Sequence, residues 1–257
     1  MYLIFDIGGT KMRLAVSRDL KTFSEPKVLA SPVDDAELLT VFSQAVTELL
    51  NSEAPEAVAG GVTGKHEKVK LEIAKLFACP VYLDNDAALA ALGEAHAGAG
   101  RGANIVAYLT VSTGVGGARV TAGKLDEKVN SFEPGQEIIS LDSEIRTLEE
   151  LVSGRSLEQK FGKPAKEVTD LAIWDQLARH LALGLHNLTA YWSPERIVLG
   201  GSMITGQPAI DLELTEQYFR AIPSHLSQKP EIKKAELGDF GGLHGAIHFL
   251  QQKLGNS

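Results

Sequence analysis

Apolar and polar positions fall into two similar blocks along this chain. From Leu3 the run LIFDIGGTKMRLAVSRD sets two apolar, β-prone stretches on either side of a Gly-Gly-Thr turn, the pattern of a β-hairpin. From Asn104 the run NIVAYLTVSTGVGGARVTAGK repeats the design with a turn rich in Gly, Ser and Thr, which points to an internal duplication. Between the blocks, Leu38, Leu39, Phe42, Val46, Leu49 and Leu50 recur at helical spacing behind Asp34 and Asp35, predicting a surface helix over Asp34 to Asn51. The segment PVYLDNDAALAALGEA predicts a short strand, Val81 to Leu83, that passes into an alanine-rich helix opening at Asn85 and Asp86. A long helical pattern from Ala165 to Tyr191 closes before Pro194 and leads into RIVLGGS, a buried strand ending in two glycines. The tail, LGDFGGLHGAIHFLQQKLG, supplies a glycine-rich turn and a last amphipathic helix. Strands interleaved with helices make this an α/β chain. The second hairpin sets the expected boundary near Ser112, giving a first lobe of residues 1–111 plus 246–257 and a second of 112–245.

Composition narrows the class. With 257 residues, 44% hydrophobic and 23% charged, the chain has ordinary globular usage and length for one large or two modest cores. A formal net charge of -8 gives no broad positive surface for a phosphate backbone, so no nucleic-acid partner is expected. Cys79 is the sole cysteine, which excludes an intrachain disulfide. The first residues, MYLIFDIGG, lack a basic leader, and no apolar run reaches membrane-spanning length. A cytoplasmic protein with no membrane partner is the expectation.

Three places carry candidate chemistry. Asp6, Gly8, Gly9 and Thr10 follow a strand, where glycines let backbone N–H groups approach phosphate oxygens and Asp6 is suited to hold magnesium through water. An ordinary hairpin turn has the same composition. Ser112, Thr113, Gly114, Gly116 and Gly117 offer the same donors without a Walker-type lysine. Asp86, at a strand-to-helix junction, suits a base that takes a proton from an attacking hydroxyl, and suits equally a helix N-cap.

DIGGTK, NDA, STGVGG, IVLGGS and LGDFGGLHGA stand in the order they have in the ROK sugar kinases, and the chain resembles that family from Leu3 to about Phe249. The resemblance implies a two-lobed actin-like, ribonuclease-H-like fold with an interdomain active-site cleft. It implies ATP-dependent phosphorylation of a hexose with Mg2+, glucose first and N-acetylglucosamine or N-acetylmannosamine as alternatives. Asp86 matches the family's catalytic aspartate, and Asn85 would position a neighbouring hydroxyl. Asp6, Gly8, Gly9, Thr10 and Lys11 would hold ATP phosphates from one side and Ser112, Thr113, Gly114 and Gly116 from the other. Gly200 and Gly201 would line the adenosine side. A homodimer is the assembly to test, and a non-catalytic sugar sensor is the further alternative. The family's repressors carry an added N-terminal DNA-binding domain; with the first hairpin starting at Leu3, none is expected here.

The sugar side departs from the family pattern. Where relatives have Glu-X-Gly-His, a cysteine-rich zinc loop, Leu-Glu and Ser-Gly, this chain reads Glu133-Pro134-Gly135-Gln136, SLDSEIRT, Leu148-Glu149 and Ser153-Gly154. Glu133 and Glu149 remain candidate sugar ligands, with Gln136 beside them. Gln136 replaces a zinc-binding His and the loop has no cysteine, so no structural zinc is expected. Ile138, Ile139, Leu141 and Ile145 are expected to pack as a small apolar cluster that orders the loop instead. Val62-Thr63-Gly64 stands where relatives have Val-Pro-Gly, which makes Gly64 a further sugar-side residue. His244 and His248, at i, i+4, read as a helix-surface or cleft-lining pair rather than a metal site.

Overall fold

The computed structural model describes residues 1–140, 144–226 and 228–255. The chain divides into two compact units, Met1–Ala97 with Asp239–Ser257, and Gly98–Gly238.

The first unit begins with β1 (Tyr2–Ile7), β2 (Lys11–Ser17) and β3 (Lys27–Ala30). Next come α1 (Asp35–Leu50), β4 (Ala57–Val62), α2 (Val69–Lys75), β5 (Val81–Asp84) and α3 (Asp86–Ala97). Among the described residues its strands form a five-stranded sheet in the order β3-β2-β1-β4-β5. β1 runs antiparallel to β2 and parallel to β4. The helix expected from Asp34 forms because the Asp34 carboxylate accepts from the backbone N–H groups of Ala36 and Glu37, at 3.0 and 2.9 Å. Its buried stripe, Leu38, Phe42, Ala45 and Val46, packs on β1, where Phe5 meets Phe42 edge-on at 4.9 Å between ring centres.

The second unit holds β6 (Ile105–Val111), β7 (Val115–Thr121), β8 (Lys124–Leu125), β9 (Ile138–Ser140) and β10 (Arg146–Thr147). It continues with α4 (Leu148–Val152), α5 (Gly154–Phe161), α6 (Leu171–Trp192), β11 (Arg196–Gly200), α7 (Ser202–Thr205), α8 (Leu212–Ala221) and β12 (Glu231–Lys234). Its main sheet, ordered β12-β11-β6-β7-β8 among the described residues, repeats the first topology: β6 is antiparallel to β7 and parallel to β11. Leu177, Leu181, Leu185 and Leu188 of α6 face Leu109, Val111, Ile197 and Leu199 of the sheet. The last helix, α9 (Gly241–Leu254), then returns to the first unit and packs along α3.

Three expectations shift. The expected boundary at Ser112 would cut β6 from β7, which pair along their whole length from Ile105–Thr121 to Val111–Val115; a return at residue 246 would cut α9 in two. The units therefore part at Ala97/Gly98 and Gly238/Asp239. The long helix starts at Leu171 rather than Ala165, because Asp170 caps it by accepting from the Ala172 N–H at 2.9 Å and residues 165–167 form a separate 3-10 turn after Pro164. The apolar cluster beneath Glu133 does not form as expected: Ile138 and Ile145 are 53% and 67% exposed, and only Ile139 packs on the core. In a three-residue strand with one covered face, alternation puts Ile139 in and Ile138 out. Leu141 lies outside the described residues.

Candidate active site

In the first unit, the end of β1, the turn after it and the start of α3 converge. The turn is short: the Gly8 N–H donates to the Lys11 carbonyl at 3.0 Å, leaving Gly8, Gly9 and Thr10 as the connection and Lys11 as the first residue of β2. A side chain added at Gly8 would come within 4.0 Å of Asp86 Oδ2, so turn and acid are neighbours. Asp84 ends β5 and α3 opens at Asp86. The cap is Asn85. Its Oδ1 accepts from the N–H groups of Ala87 and Ala88 at 2.9 and 3.4 Å, and its carbonyl takes the first helical bond, from the Leu89 N–H, at 3.1 Å. The capping alternative for Asp86 is thereby filled by its neighbour. Asn85, expected to hold a sugar hydroxyl, has its side-chain oxygen engaged by the helix.

Asp6 is 9% exposed and stands opposite Arg13 in the β1–β2 ladder, with Nη1 of Arg13 at 3.1 Å from its Oδ2. Burial, then the charge of Asp86, push the Asp6 carboxyl up to about 7 against the pull of Arg13. A buried carboxylate beside a second one attracts a cation, and hard oxygen donors fit a magnesium ion that keeps most of its waters. Asp239, just before α9, completes the group through Arg13 and Lys11. Burial works to raise its carboxyl, but the charge of Arg13 and the bonds from Arg13 and Lys11 outweigh it and hold it below the ordinary range. Gly242 is required here: a Cβ at that position would lie 2.7 Å from Asp6 Cγ, so the start of α9 reaches Asp6 only as bare backbone. Gly64, by contrast, opens a 3-10 turn onto free space.

In the second unit the glycine-rich loop is shorter than its sequence suggests. Val115 already pairs with Val111 and Gly116 with Thr110, so Gly116 lies inside β7 and the loop proper is Ser112–Gly114. It is fixed from below: the Gly154 and Arg155 N–H groups at the start of α5 donate to the Ser112 and Thr113 carbonyls at 2.7 and 3.3 Å. Glu149 Oε2 accepts from the Val115 N–H at 2.8 Å. Glu133 is close enough to Glu149 that, after burial, the charge of Glu149 helps raise its carboxyl. Glu133 and Glu149 are thus near one another beside the loop, and Glu133, like Gln136, is exposed. Gly200 ends β11, and Gly201 follows with φ of +88° where its backbone crosses the Val111 carbonyl of β6.

A family model described as the ROK family matches residues 60–253. The chain belongs to the ROK family. Among ROK structures, a hexokinase from Thermus thermophilus is 26% identical with a TM-score of 0.76, covering 98% of this chain and 99% of that one. A ROK family glucokinase from Streptomyces griseus, solved with glucose and AMPPNP, superposes with a TM-score of 0.80 at 24% identity, over 98% of this chain and 99% of its own. The N-acetyl-D-glucosamine kinase of Shigella flexneri is 28% identical over 96% of this chain and 98% of its own length. The ROK sugar-kinase fold, actin-like with two domains, is the fold of this chain.

Sequence reading of this ROK chain missed Arg13, Asp239 and Gly242 in the first unit and Glu137 in the second. Glu137 is pushed up to about 7 by burial, against a bond from Asn187, and its Oε1 is buried without a hydrogen-bond partner. A carboxylate directly before the apolar Ile138-Ile139 pair was the available signal. Among the described residues no group of three or more His, Cys, Asp or Glu is arranged to hold a metal, and no helix is long and apolar enough to cross a membrane.

Proposed function

We propose that this ROK chain transfers the γ-phosphoryl group of ATP to a hydroxyl of a hexose, with glucose as the preferred acceptor. The observation that carries the reading is the state of Asp86: a carboxylate at the opening of α3, relieved of capping by Asn85 and set against the Gly8 turn and Asp6. Phosphoryl transfer is mainly positioning and charge stabilisation, with one proton to remove from the attacking oxygen. Asp86 takes that proton. Backbone N–H groups of Gly9 and Thr10 and of Thr113 and Gly114 receive phosphate oxygens, Glu133 and Glu149 accept from sugar hydroxyls, and Gly200 and Gly201 leave room for the adenosine. Asp6, with Asp86 beside it, would hold magnesium through water. When bound, that ion neutralises charge on the phosphates.

Two arms of one experiment test this. ADP release is measured with glucose, N-acetylglucosamine and N-acetylmannosamine, and the product is identified by mass spectrometry. Release that requires a sugar and disappears in Asp86→Asn supports the reading, and the best acceptor ranks the substrates. No release with any of the three sugars favours the non-catalytic sensor, and release that needs no sugar would make the chain an ATPase and sink the sugar-kinase reading. The same reading places the enzyme in the cytoplasm, where ATP is available, and sedimentation tests for a homodimer.

A further inference from the structure

Asp239 sits between two cations. Its Oδ1 lies 3.2 Å from Nη2 of Arg13 and its Oδ2 lies 3.3 Å from Nζ of Lys11. Arg13 is pinned from the other side by Asp6 and is only 11% exposed, so one half of its guanidinium fork is fixed and buried. The other half meets Asp239, whose side chain is 60% exposed, next to a lysine that is 55% exposed. Ion pairs of that exposure contribute little, so the outer carboxylate is held weakly while the cations that hold it are supplied by a rigid strand. The fork is also incompletely satisfied in this arrangement, since Arg13 Nε is buried without a hydrogen-bond partner. Lys11 and Arg13 are two apart on β2 and so share a face, and the turn that precedes them points its Gly9 position into open space.

We infer that Asp239 stands in for a phosphate group: its carboxylate occupies the anion site formed by Arg13 and Lys11, and a nucleotide phosphate displaces it on binding. Arg13 is then a phosphate-binding residue, and Asp239 a competitor built into the chain. A phosphate brings more charge and a third oxygen to the same planar fork, and planar bidentate recognition is what arginine does better than lysine. The anion is named as nucleotide on the strength of the kinase reading. The site itself needs only a phosphate.

Titration calorimetry with ADP and with adenosine tests the exchange without turnover. Asp239→Asn removes the competitor's charge and should tighten ADP binding by about tenfold while leaving adenosine unchanged. Arg13→Met should weaken ADP by about tenfold or more, again sparing adenosine, and Arg13→Lys, which keeps the charge without the fork, should fall between. In the double variant the gain from Asp239→Asn should largely vanish. Weaker ADP binding in Asp239→Asn, or a gain that persists undiminished without Arg13, overturns the stand-in. If Arg13→Met fails to fold, Arg13→Lys and Asp239→Asn decide alone. Wild-type protein that binds no ADP overturns the kinase reading along with it, whereas wild-type binding with unmoved variants overturns only the stand-in.

Discussion

Glu149 Oε2 accepts a hydrogen bond from the backbone N–H of Val115 at 2.8 Å. A residue expected to touch sugar is therefore also a strut of the phosphate-side loop. Glu149→Ala should raise KM for ATP as well as for sugar, each by about tenfold or more, because a charge-assisted bond to backbone is lost. Glu149→Gln keeps an acceptor and should spare ATP more than sugar. Steady-state kinetics with each substrate varied in turn checks this, and an unmoved KM for ATP in Glu149→Ala would confine Glu149 to the sugar.

Asn85 and Asp86 divide two tasks that adjacent residues of this kind often share. Asp86→Asn should fold normally and lower kcat by several powers of ten. Asn85→Ala should cost stability on the order of 1 kcal/mol through the lost cap, with a smaller effect on kcat. Thermal melting and kinetics on both variants resolve the two roles, and near-normal turnover in Asp86→Asn would remove it from the mechanism.

Zinc should not be needed. The segment from Ser140 to Thr147 contains no cysteine or histidine, and the Glu133–Gln136 turn is held by close packing, with Gly135 against Val115 and Pro134 against Gly117. Elemental analysis should find well under one equivalent of zinc, and chelation should leave the melting temperature in place. Loss of the fold on chelation would show that ligands had been recruited from elsewhere.

His248 should make the protein acid-sensitive. The Gln251 amide is oriented by its own bond to the Leu20 carbonyl at 2.7 Å, so its oxygen faces His248 Nδ1 at 2.8 Å and that nitrogen carries the proton of a neutral ring. Burial, then the stacked His96, and last His244 hold His248 down to about 4, with the Gln251 bond pulling upward. Glu94 lies beside His244, and Phe23 meets it edge-on. Between pH 6.5 and 4 the unfolded chain binds a proton at this position that the folded one does not, so the stability that the neutral ring contributes is fully present above pH 6.5 and is lost as pH drops through that window. Asp6 and Glu137, raised to about 7, act with the opposite sign. The difference in melting temperature between His248→Gln and wild type, followed from pH 7 to pH 4, isolates the histidine, and a constant difference would refute the assignment.

What the sequence made legible was whatever is written in short-range pattern. The two hairpins, the helix behind Asp34 and the strand before Asn85 follow from periodicity and turn residues, and the duplication was visible as two similar runs. The contacts that complete the site were not, because they join distant positions. Arg13 and Asp239 are far apart in the chain, and nothing local to either marks the other. Gly242 reads as one more turn glycine until Asp6 is seen beneath it. Between Asn85 and Asp86, composition alone does not say which one caps, since both are good cap residues. The misplaced apolar cluster has the same origin: Ile138 and Ile145 look like core until a single covered face is assigned to a very short strand pair.

The return of α9 to the first unit sets the order in which the chain completes itself during synthesis. Residues 98–238 form a continuous unit and leave the ribosome together, whereas residues 1–97 wait for the final helix. That helix seats against α3 at bare backbone, Gly93 against Gly241 and Gly245 against Leu89. The first-made strands are thus the last to be covered, once α9 has been made.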